Sequence, residues 1–165
     1  MKMLGKLFGA SLVCVVLLLA VLRITGFGPH GRAPGLWLSG EVVSTPIADW
    51  SFAADNPTVE VQTNTWYLLP HSVTTFCVVS QGHLYLTSIY HAGVPAYPRG
   101  RHWNANVARD PHVRIKIGDK LYDRTLVYVT DPAEKAVVLA VKAKKYPQQK
   151  IAADSTVNVF RVIDD

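Results

Sequence analysis

Short apolar segments joined by connections of hairpin length constrain the fold of this 165-residue chain most. Thr58–Thr63 alternates polar and apolar residues, which is the pattern of a half-buried strand. Residues 73–79 and 84–88 form two further apolar segments, and the turn between them contains Gly82, as expected for a hairpin. The other predicted strands are residues 41–45, 66–69, 113–117, 121–130 and 156–163.

Two helices are predicted among these strands. Trp103 and Val107 are four residues apart and share one face of a short helix, which ends at Asp110 because Pro111 cannot continue it. A longer helix begins with Asp131 as its cap and extends to about residue 145. Many strands with few helices between them predict a mainly β fold, an antiparallel β-barrel whose openings the helices cover.

The N-terminus is predicted to be a membrane anchor. Residues 7–22 are apolar or small, Lys2 and Lys6 precede them, and Arg23 closes the run, which is near the lower length limit for a spanning helix. A cleaved signal peptide is the alternative, but no small-x-small cleavage site follows the run. We therefore expect an anchor at residues 1–25, a linker rich in glycine and proline at residues 26–36, and one domain at residues 37–165.

The side of the membrane that the domain faces is not decided by charge. Lys2 and Lys6 on one side balance Arg23 and Arg32 on the other. A short N-terminal tail before a large domain favours a periplasmic or extracellular domain. The two cysteines do not fix the compartment either, because Cys14 lies in the apolar run and leaves no second cysteine for a disulfide within the domain.

The basic charge of the domain is concentrated in one part of the chain. The net charge is +5, yet residues 33–98 contain no lysine or arginine, whereas residues 99–124 contain seven. Arg99, Arg101 and His102 lie at the start of the short helix, where backbone N–H groups already favour an anion. This pattern indicates a phosphate-bearing ligand, or else a solvated basic face. The histidines show no spacing typical of a zinc site, and nucleic-acid binding is not predicted.

The segment from Trp103 to Val113 resembles the W-Y-x-N-L-x-A-N-P-x-V element of the deazaflavin-dependent nitroreductase family. Trp103, Asn106, Pro111 and Val113 match this element, and Asn104 departs from it. The family belongs to the flavin-binding split β-barrel group, which includes the pyridoxamine-phosphate oxidases. The resemblance covers roughly residues 58–163 and implies an antiparallel split β-barrel with two helices.

The resemblance also implies a function and a site. It implies a flavin mononucleotide or deazaflavin cofactor, reduction of a quinone or nitro-type electron acceptor, and a site at a homodimer interface. The strand near Leu86, Thr87 and Ser88 would hold the cofactor through its backbone. The phosphates would lie near the basic helix start, and the implied residues there are Arg99, Arg101, His102, Trp103 and Asn106.

One departure from the family leaves an alternative open. The family has a G-R-K-S-G turn whose basic residue contacts the cofactor phosphates, whereas the aligned residues here include His71 and Ser72 but no lysine or arginine. His71 and Ser72 can still donate to a phosphate. The first hypothesis is a membrane-anchored oxidoreductase, and the second is a split barrel without a cofactor that acts as a binding or structural module. No general acid or base is predicted, because the cofactor would supply the chemistry.

Overall fold

The computed structural model describes residues 2–95, 97–100, 102–152 and 154–164, without the side chains of residues 2–7 and 102. The helices are α1 (Lys2–Thr25), α2 (His102–Arg109) and α3 (Pro132–Lys145). The strands are β1 (Glu41–Val42), β2 (Thr58–Thr63), β3 (His71–Ser80), β4 (His83–Tyr90), β5 (His112–Ile117), β6 (Lys120–Tyr128) and β7 (Thr156–Ile163).

Six of these strands close into an antiparallel barrel in the order β6-β5-β2-β3-β4-β7, and β7 pairs back onto β6. The two-residue strand β1 adds to the outer edge of β6 in parallel. Gln81 and Gly82 connect β3 to β4 with φ angles of 52° and 79°, which is the left-handed conformation that matches the twist of a hairpin. The predicted antiparallel barrel and hairpin are confirmed.

The interior of the barrel is filled by the alternate, inward-facing side chains of its strands. Val61, Leu86 and Phe160 are fully buried there. Trp50 closes one end, and its backbone N–H donates to the Gly82 carbonyl at 2.8 Å. Helix α2 closes the other end with the side chain of Trp103.

Helix α3 packs on the outer face of β3 and shields a second apolar cluster there. Asp131 caps it, accepting from the backbone N–H of Ala133 at 3.1 Å and of Glu134 at 3.2 Å, as the sequence predicts. At its other end, the hydroxyl of Tyr146 lies 2.7 Å from the Pro57 carbonyl and 2.6 Å from the Cys77 carbonyl. Tyr146 therefore joins the end of α3 to two segments of the barrel.

Replacing Tyr146 by phenylalanine removes the hydroxyl that contacts these two carbonyls while it keeps the ring, and the Lys145 ammonium remains as a donor to the Cys77 carbonyl at 3.1 Å. We expect the free energy of unfolding to fall by about 1 kcal/mol, the usual net contribution of one intramolecular hydrogen bond, because the hydrogen bond donated by the Tyr146 hydroxyl is lost. Chemical denaturation of the full chain in detergent measures this change. Tyr67→Phe is the matched control, because Tyr67 is half exposed and its loss of a hydroxyl should change the free energy little. Equal costs for the two variants would contradict the assigned role of Tyr146.

One predicted strand is wrong. Residues 66–69 form a turn between β2 and β3 and pair with no described strand. The register places Thr63 opposite His71, so residues 64–70 must serve as the connection. Leu68 has a φ of 69°, which a strand does not permit. The apolar side chains of Trp66, Tyr67 and Leu68 are exposed at this turn and are not buried in a sheet. His71 and Ser72, aligned with the family's basic turn, lie in β3 itself.

The apolar helix α1 projects from the domain. Residues 8–25 have a mean hydropathy of 2.4 and no buried residue, so the helix is long and apolar enough to cross a membrane. Length and composition alone do not separate an anchor from a signal sequence. Within the barrel, Cys77 is fully buried, and burial raises the pKa of its thiol, which is the environment of an inert core cysteine and not of a nucleophile.

Candidate functional site

A cleft opens where β3 and β4 separate. The two strands pair from Ser80 and His83 down to Phe76 and Thr87. Beyond this point, residues 71–75 of β3 pair with β2, and residues 88–90 of β4 pair with β7. The Thr75 hydroxyl donates to the Thr87 carbonyl at 2.9 Å, at the point where the strands part. We call the opening between residues 71–75 and 88–90 the β3–β4 cleft.

The separation leaves backbone groups directed into the cleft. Ser72 exchanges both backbone hydrogen bonds with Gly35, in the segment before β1, at 2.8 and 3.0 Å. In an antiparallel strand, alternate residues direct their N–H and C=O groups to the same side, so those of Thr74 also face the cleft. The same alternation on β4, counted from Thr87, directs the backbone groups of Ile89 into it. The cleft thus offers donors and acceptors from both strands.

A cavity of about 820 Å³ occupies this cleft. Its walls come from residues 31–34 between α1 and β1, from β3 and β4, from Trp103 of α2, and from residues 149–152 with Ser155. Val73, Ile89 and Trp103 supply apolar surface, while Thr75 and Ser88 supply polar surface. Binding sites for small molecules and cofactors commonly have this size and this mixture of apolar walls with a few polar groups.

Several polar atoms at the cavity have no partner within the described part of the chain. They are Thr87 Oγ1, Gln149 Oε1 and Ser155 Oγ. Thr87 is the most buried of these residues, with 1% of its surface exposed. A buried polar group without a hydrogen bond costs about 1–3 kcal/mol, so such groups gather where a ligand or ordered water supplies the missing partner. These unpartnered atoms favour a ligand with polar groups in the cavity.

Positive charge also lines the cavity. Arg32 comes from the segment between α1 and β1 and Lys150 from the segment after α3, and both side chains are exposed. His71 and His91 lie on the strand side of the same cavity. No acidic residue is among its described lining residues. A ligand with phosphate groups would be attracted to this side of the domain.

A hydrogen-bond network supports the wall behind Ser88. The Ser88 hydroxyl donates to Asn104 Oδ1 at 2.9 Å, and Asn158 Nδ2 donates to the same oxygen at 3.2 Å. The Tyr128 hydroxyl is 3.4 Å from Asn158 Oδ1. Asn104 and Asn158 are fully buried, so this network fixes α2 against β4 and β7 at the inner end of the cleft.

The structure brings four of the predicted site residues together at the cavity, namely His71, Thr87, Ser88 and Trp103. Arg99 is exposed in the connection before α2 and does not line the cavity. Arg101 and the side chain of His102 lie outside the described residues, although His102 begins α2.

The other three predicted residues have contacts within the fold. Leu86 is buried in the barrel interior, and Ser72 is buried beside Gly35. Asn106 Nδ2 donates to the Thr63 hydroxyl at 3.0 Å, which attaches α2 to β2. The hydrogen bond to Thr63 gives Asn106, which matches the family motif, a structural role that needs no ligand.

Sequence reasoning missed several residues of the cavity. Arg32 and Lys150 lie in segments without regular structure, far apart in the chain, and no local pattern indicates that they meet. Gln149 and Ser155 also lie in irregular segments, and no local pattern indicates that they reach the cavity. Asn104 could have been noticed as one of two asparagines in an eight-residue helix, next to Trp103.

Comparisons with known proteins agree with this architecture. No protein-family model matches the chain, and no curated protein matches it by sequence. Among solved structures, the chain is similar to the conserved hypothetical protein Rv2991 from Mycobacterium tuberculosis, with 16% identity over 67% of this chain and 74% of that chain and a TM-score of 0.50. It is also similar to an F420-H2-dependent reductase, FDR-A (22% identity, 65% and 94% covered, TM-score 0.47), and to an FAD-binding protein from Mesorhizobium loti (15%, 68% and 83%, 0.46).

At these identities the similarity establishes the fold alone. Together with the closed six-stranded barrel, it shows that the chain has the fold of a split β-barrel. The resemblance predicted from the segment between Trp103 and Val113 is confirmed at this level.

Proposed function

We propose that this protein is a membrane-anchored oxidoreductase that binds a flavin or deazaflavin in the β3–β4 cleft and reduces a quinone or nitro-type acceptor. One observation supports this most strongly: the cleft joins free backbone groups, an unpartnered buried Thr87 hydroxyl and basic side chains in one cavity of about 820 Å³. An apolar surface for a ring and cations for phosphates are the two features that such a cofactor needs.

The residues present fit the cofactor at both of its ends. Thr87, Ser88 and the backbone of Thr74 and Ile89 offer hydrogen bonds to the polar edge of a ring system, and Trp103 with Val73 offers apolar contact. Arg32, His71 and Lys150 would contact the phosphates. Arg99, Arg101 and His102, which precede or begin α2, are proposed to add charge to the phosphate side.

When bound, the cofactor supplies hydride transfer, and the protein supplies position and charge. Trp103 and the network behind Ser88 would keep the inner wall rigid and dry. Residues 31–34 and 149–152 flank the cavity and would limit the access of water. The resemblance further implies a homodimer, which light scattering of the detergent-solubilised protein would test.

The anchor would be α1, with lipid as its partner. An apolar acceptor is favoured because a protein held at a bilayer meets molecules that dissolve in lipid. We further propose that the domain lies on the periplasmic or extracellular side.

The proposal is tested by titrating the purified full chain in detergent with FMN, FAD and coenzyme F420. We expect one of them to bind, with quenching of tryptophan fluorescence and a shifted visible absorption band. If none of the three binds, the oxidoreductase proposal is wrong. The alternative, a split barrel that acts as a binding or structural module, would then stand, in agreement with the absence of lysine and arginine from the β2–β3 connection at residues 64–70.

The phosphate side can be tested with a charge-matched pair of variants. We expect Arg32→Ala/Lys150→Ala to weaken cofactor binding about tenfold or more, because a hydrogen bond to a charged group contributes roughly 1.5–3 kcal/mol. Lys120→Ala/Lys144→Ala removes the same charge from exposed positions outside the cavity and should leave the affinity within a factor of two or so. Arg99→Ala/Arg101→Ala tests the helix start in the same titration. Equal affinities for the first two double variants would contradict the assignment of Arg32 and Lys150.

A further inference from the structure

The β2–β3 connection exposes three large apolar side chains at its tip. Trp66 is 78% exposed, Tyr67 49% and Leu68 93%. We call these three residues the loop tip. The rings of Trp66 and Tyr67 pack edge to face, with centroids 5.4 Å apart, so the two aromatic residues form one exposed unit. Exposed aromatic and aliphatic side chains grouped in this way mark a surface that another phase or molecule covers.

Hydrogen bonds at the base of the loop hold the tip outward. The Thr65 hydroxyl donates to the Leu69 carbonyl, and the Arg109 guanidinium donates to the Asn64 carbonyl. Asn64 Nδ2 also donates to Asp110 Oδ2 at 2.7 Å, so the end of α2 supports the loop. Leu68 adopts a φ of 69°, which is unfavourable for a residue with a side chain of this size. The fold therefore maintains the exposure of the tip instead of turning it inward.

The loop tip lies on the side of the domain from which α1 leaves. A second cavity, of about 570 Å³, is lined by Arg23 near the end of α1 and also by Leu68 and Leu69 of the loop. Helix α1 ends at Thr25, so the tip lies close to the level where the chain would emerge from a bilayer. The side chains of Arg23 and Arg109 are exposed on this side and would face lipid headgroups.

We propose that the loop tip inserts into the interfacial layer of the membrane that α1 crosses and gives the domain a second contact with lipid. The inference rests on the proposed anchor role of α1. Tryptophan and tyrosine favour the headgroup region, because their rings are apolar while their N–H and O–H groups stay hydrated. Leu68 enters deepest, and the nearby arginines meet anionic headgroups at about 1 kcal/mol each.

A bilayer is the occupant that the geometry favours. A helix that ends beside the loop already brings lipid to this level, whereas a protein partner would have to fit between the loop and the headgroups. Two contacts, one by α1 and one by the tip, would also fix the rotation of the barrel relative to the membrane. The second cavity would then lie next to the headgroups.

The depth of a spin label at the tip tests the proposal. The full chain with Cys14→Ser and Leu68→Cys is labelled and placed in vesicles of phosphatidylcholine and phosphatidylglycerol, and its accessibility to oxygen and to a water-soluble nickel complex is compared. His83→Cys in the same background is the control, because β3 spans ten residues between the two turns and separates them by about 30 Å. Cys77 is fully buried and should not react.

We expect the label at position 68 to favour oxygen at least severalfold over the control label, which should behave as in water. Brominated lipids should also quench the wild type more than Trp66→Phe. If the protein floats with the vesicles but the label at position 68 is as aqueous as the control, the tip insertion is wrong while the anchor stands. If the protein does not float, both are wrong. Exclusion of both oxygen and nickel from the label would indicate a protein contact, a second copy or another partner, and would also overturn the inference.

Discussion

Trp103→Ala is expected to lower the free energy of unfolding by about 3–5 kcal/mol, the usual cost of truncating a large buried aromatic side chain. Trp103 is 5% exposed, and its ring centroid lies 5.3 Å from that of Phe160 in the barrel interior. Its indole closes the end of the barrel under α2. Loss of the indole would leave a cavity that the network of Asn104 and Asn158 prevents the helix from closing.

The control for this variant is Trp66→Ala, which removes the same side chain from an exposed site. In detergent its expected effect on stability is within about 0.5 kcal/mol. The loss of unfolding free energy for Trp103→Phe should lie between those of Trp103→Ala and Trp66→Ala, because phenylalanine keeps part of the apolar volume. Denaturant unfolding of the three variants gives the comparison, and a cost for Trp103→Ala no larger than that of Trp66→Ala would contradict the buried role of Trp103.

Lys142→Met is expected to stabilise the protein at neutral pH, by up to roughly 3 kcal/mol. Lys142 is 1% exposed, and its ammonium has no hydrogen-bond partner among the described residues. It lies over the rings of Phe76 and Tyr146, at 4.6 and 4.8 Å from their centroids. Burial lowers the pKa of Lys142 from 10.5 to about 8, so the charged form is unfavourable in the folded state. Methionine keeps the chain length of the apolar stem without the charge.

The stabilisation should depend on pH with a definite sign. Below pH 8 the lysine is charged in both states, and the variant has its full advantage. Between pH 8 and 10.5 the unfolded state binds more protons than the folded state, so the stability of the wild type rises and the advantage of the variant shrinks. The groups facing Lys142 are the Cys77 thiol, the Lys145 ammonium and the Tyr146 hydroxyl, and burial raises the pKa values of Cys77 and Tyr146. Subtracting the curve of stability against pH of the wild type from that of the variant cancels the contributions of Cys77, Lys145 and Tyr146, which both proteins share.

Lys144→Met is the control for this comparison, because Lys144 is exposed on the same helix. Its stability difference from the wild type should be small and nearly constant from pH 7 to 10. Unfolding curves at several pH values measure both variants. A pH-independent difference for Lys142→Met would show that the lysine is solvated in the folded protein, contrary to its burial in the structure.

The barrel could be predicted from the sequence because its strands carry their own signals. The alternation of Thr58–Thr63 and the two-residue turn at Gln81 and Gly82 determine pairing locally. The apolar run at residues 66–69 gives the same local signal as a strand. It becomes a turn because the pairing of Thr63 with His71 leaves those residues outside the sheet, and this is a property of the whole barrel.

The residues of the cavity were predictable only where the resemblance supplied them. His71, Thr87, Ser88 and Trp103 line the cavity, and each lies in a regular element whose place in a split barrel is fixed. Arg32 and Lys150 reach the cavity from irregular segments, which are positioned by tertiary packing. The resemblance does not predict the role of Asn104. This residue departs from the family motif, yet its side-chain oxygen accepts hydrogen bonds from both Ser88 and Asn158.

Hydrogen–deuterium exchange of the full chain, with and without the cofactor that binds in titration, tests most directly whether the β3–β4 cleft is the cofactor site. The backbone N–H groups of Thr74 and Ile89 face the open cleft and should exchange quickly in the free protein. We expect cofactor to slow exchange in peptides that cover residues 71–76 and 87–91, and to leave the turn at Gln81 and Gly82 unchanged. Protection confined to other parts of the chain, with the two cleft peptides unaffected, would contradict the account.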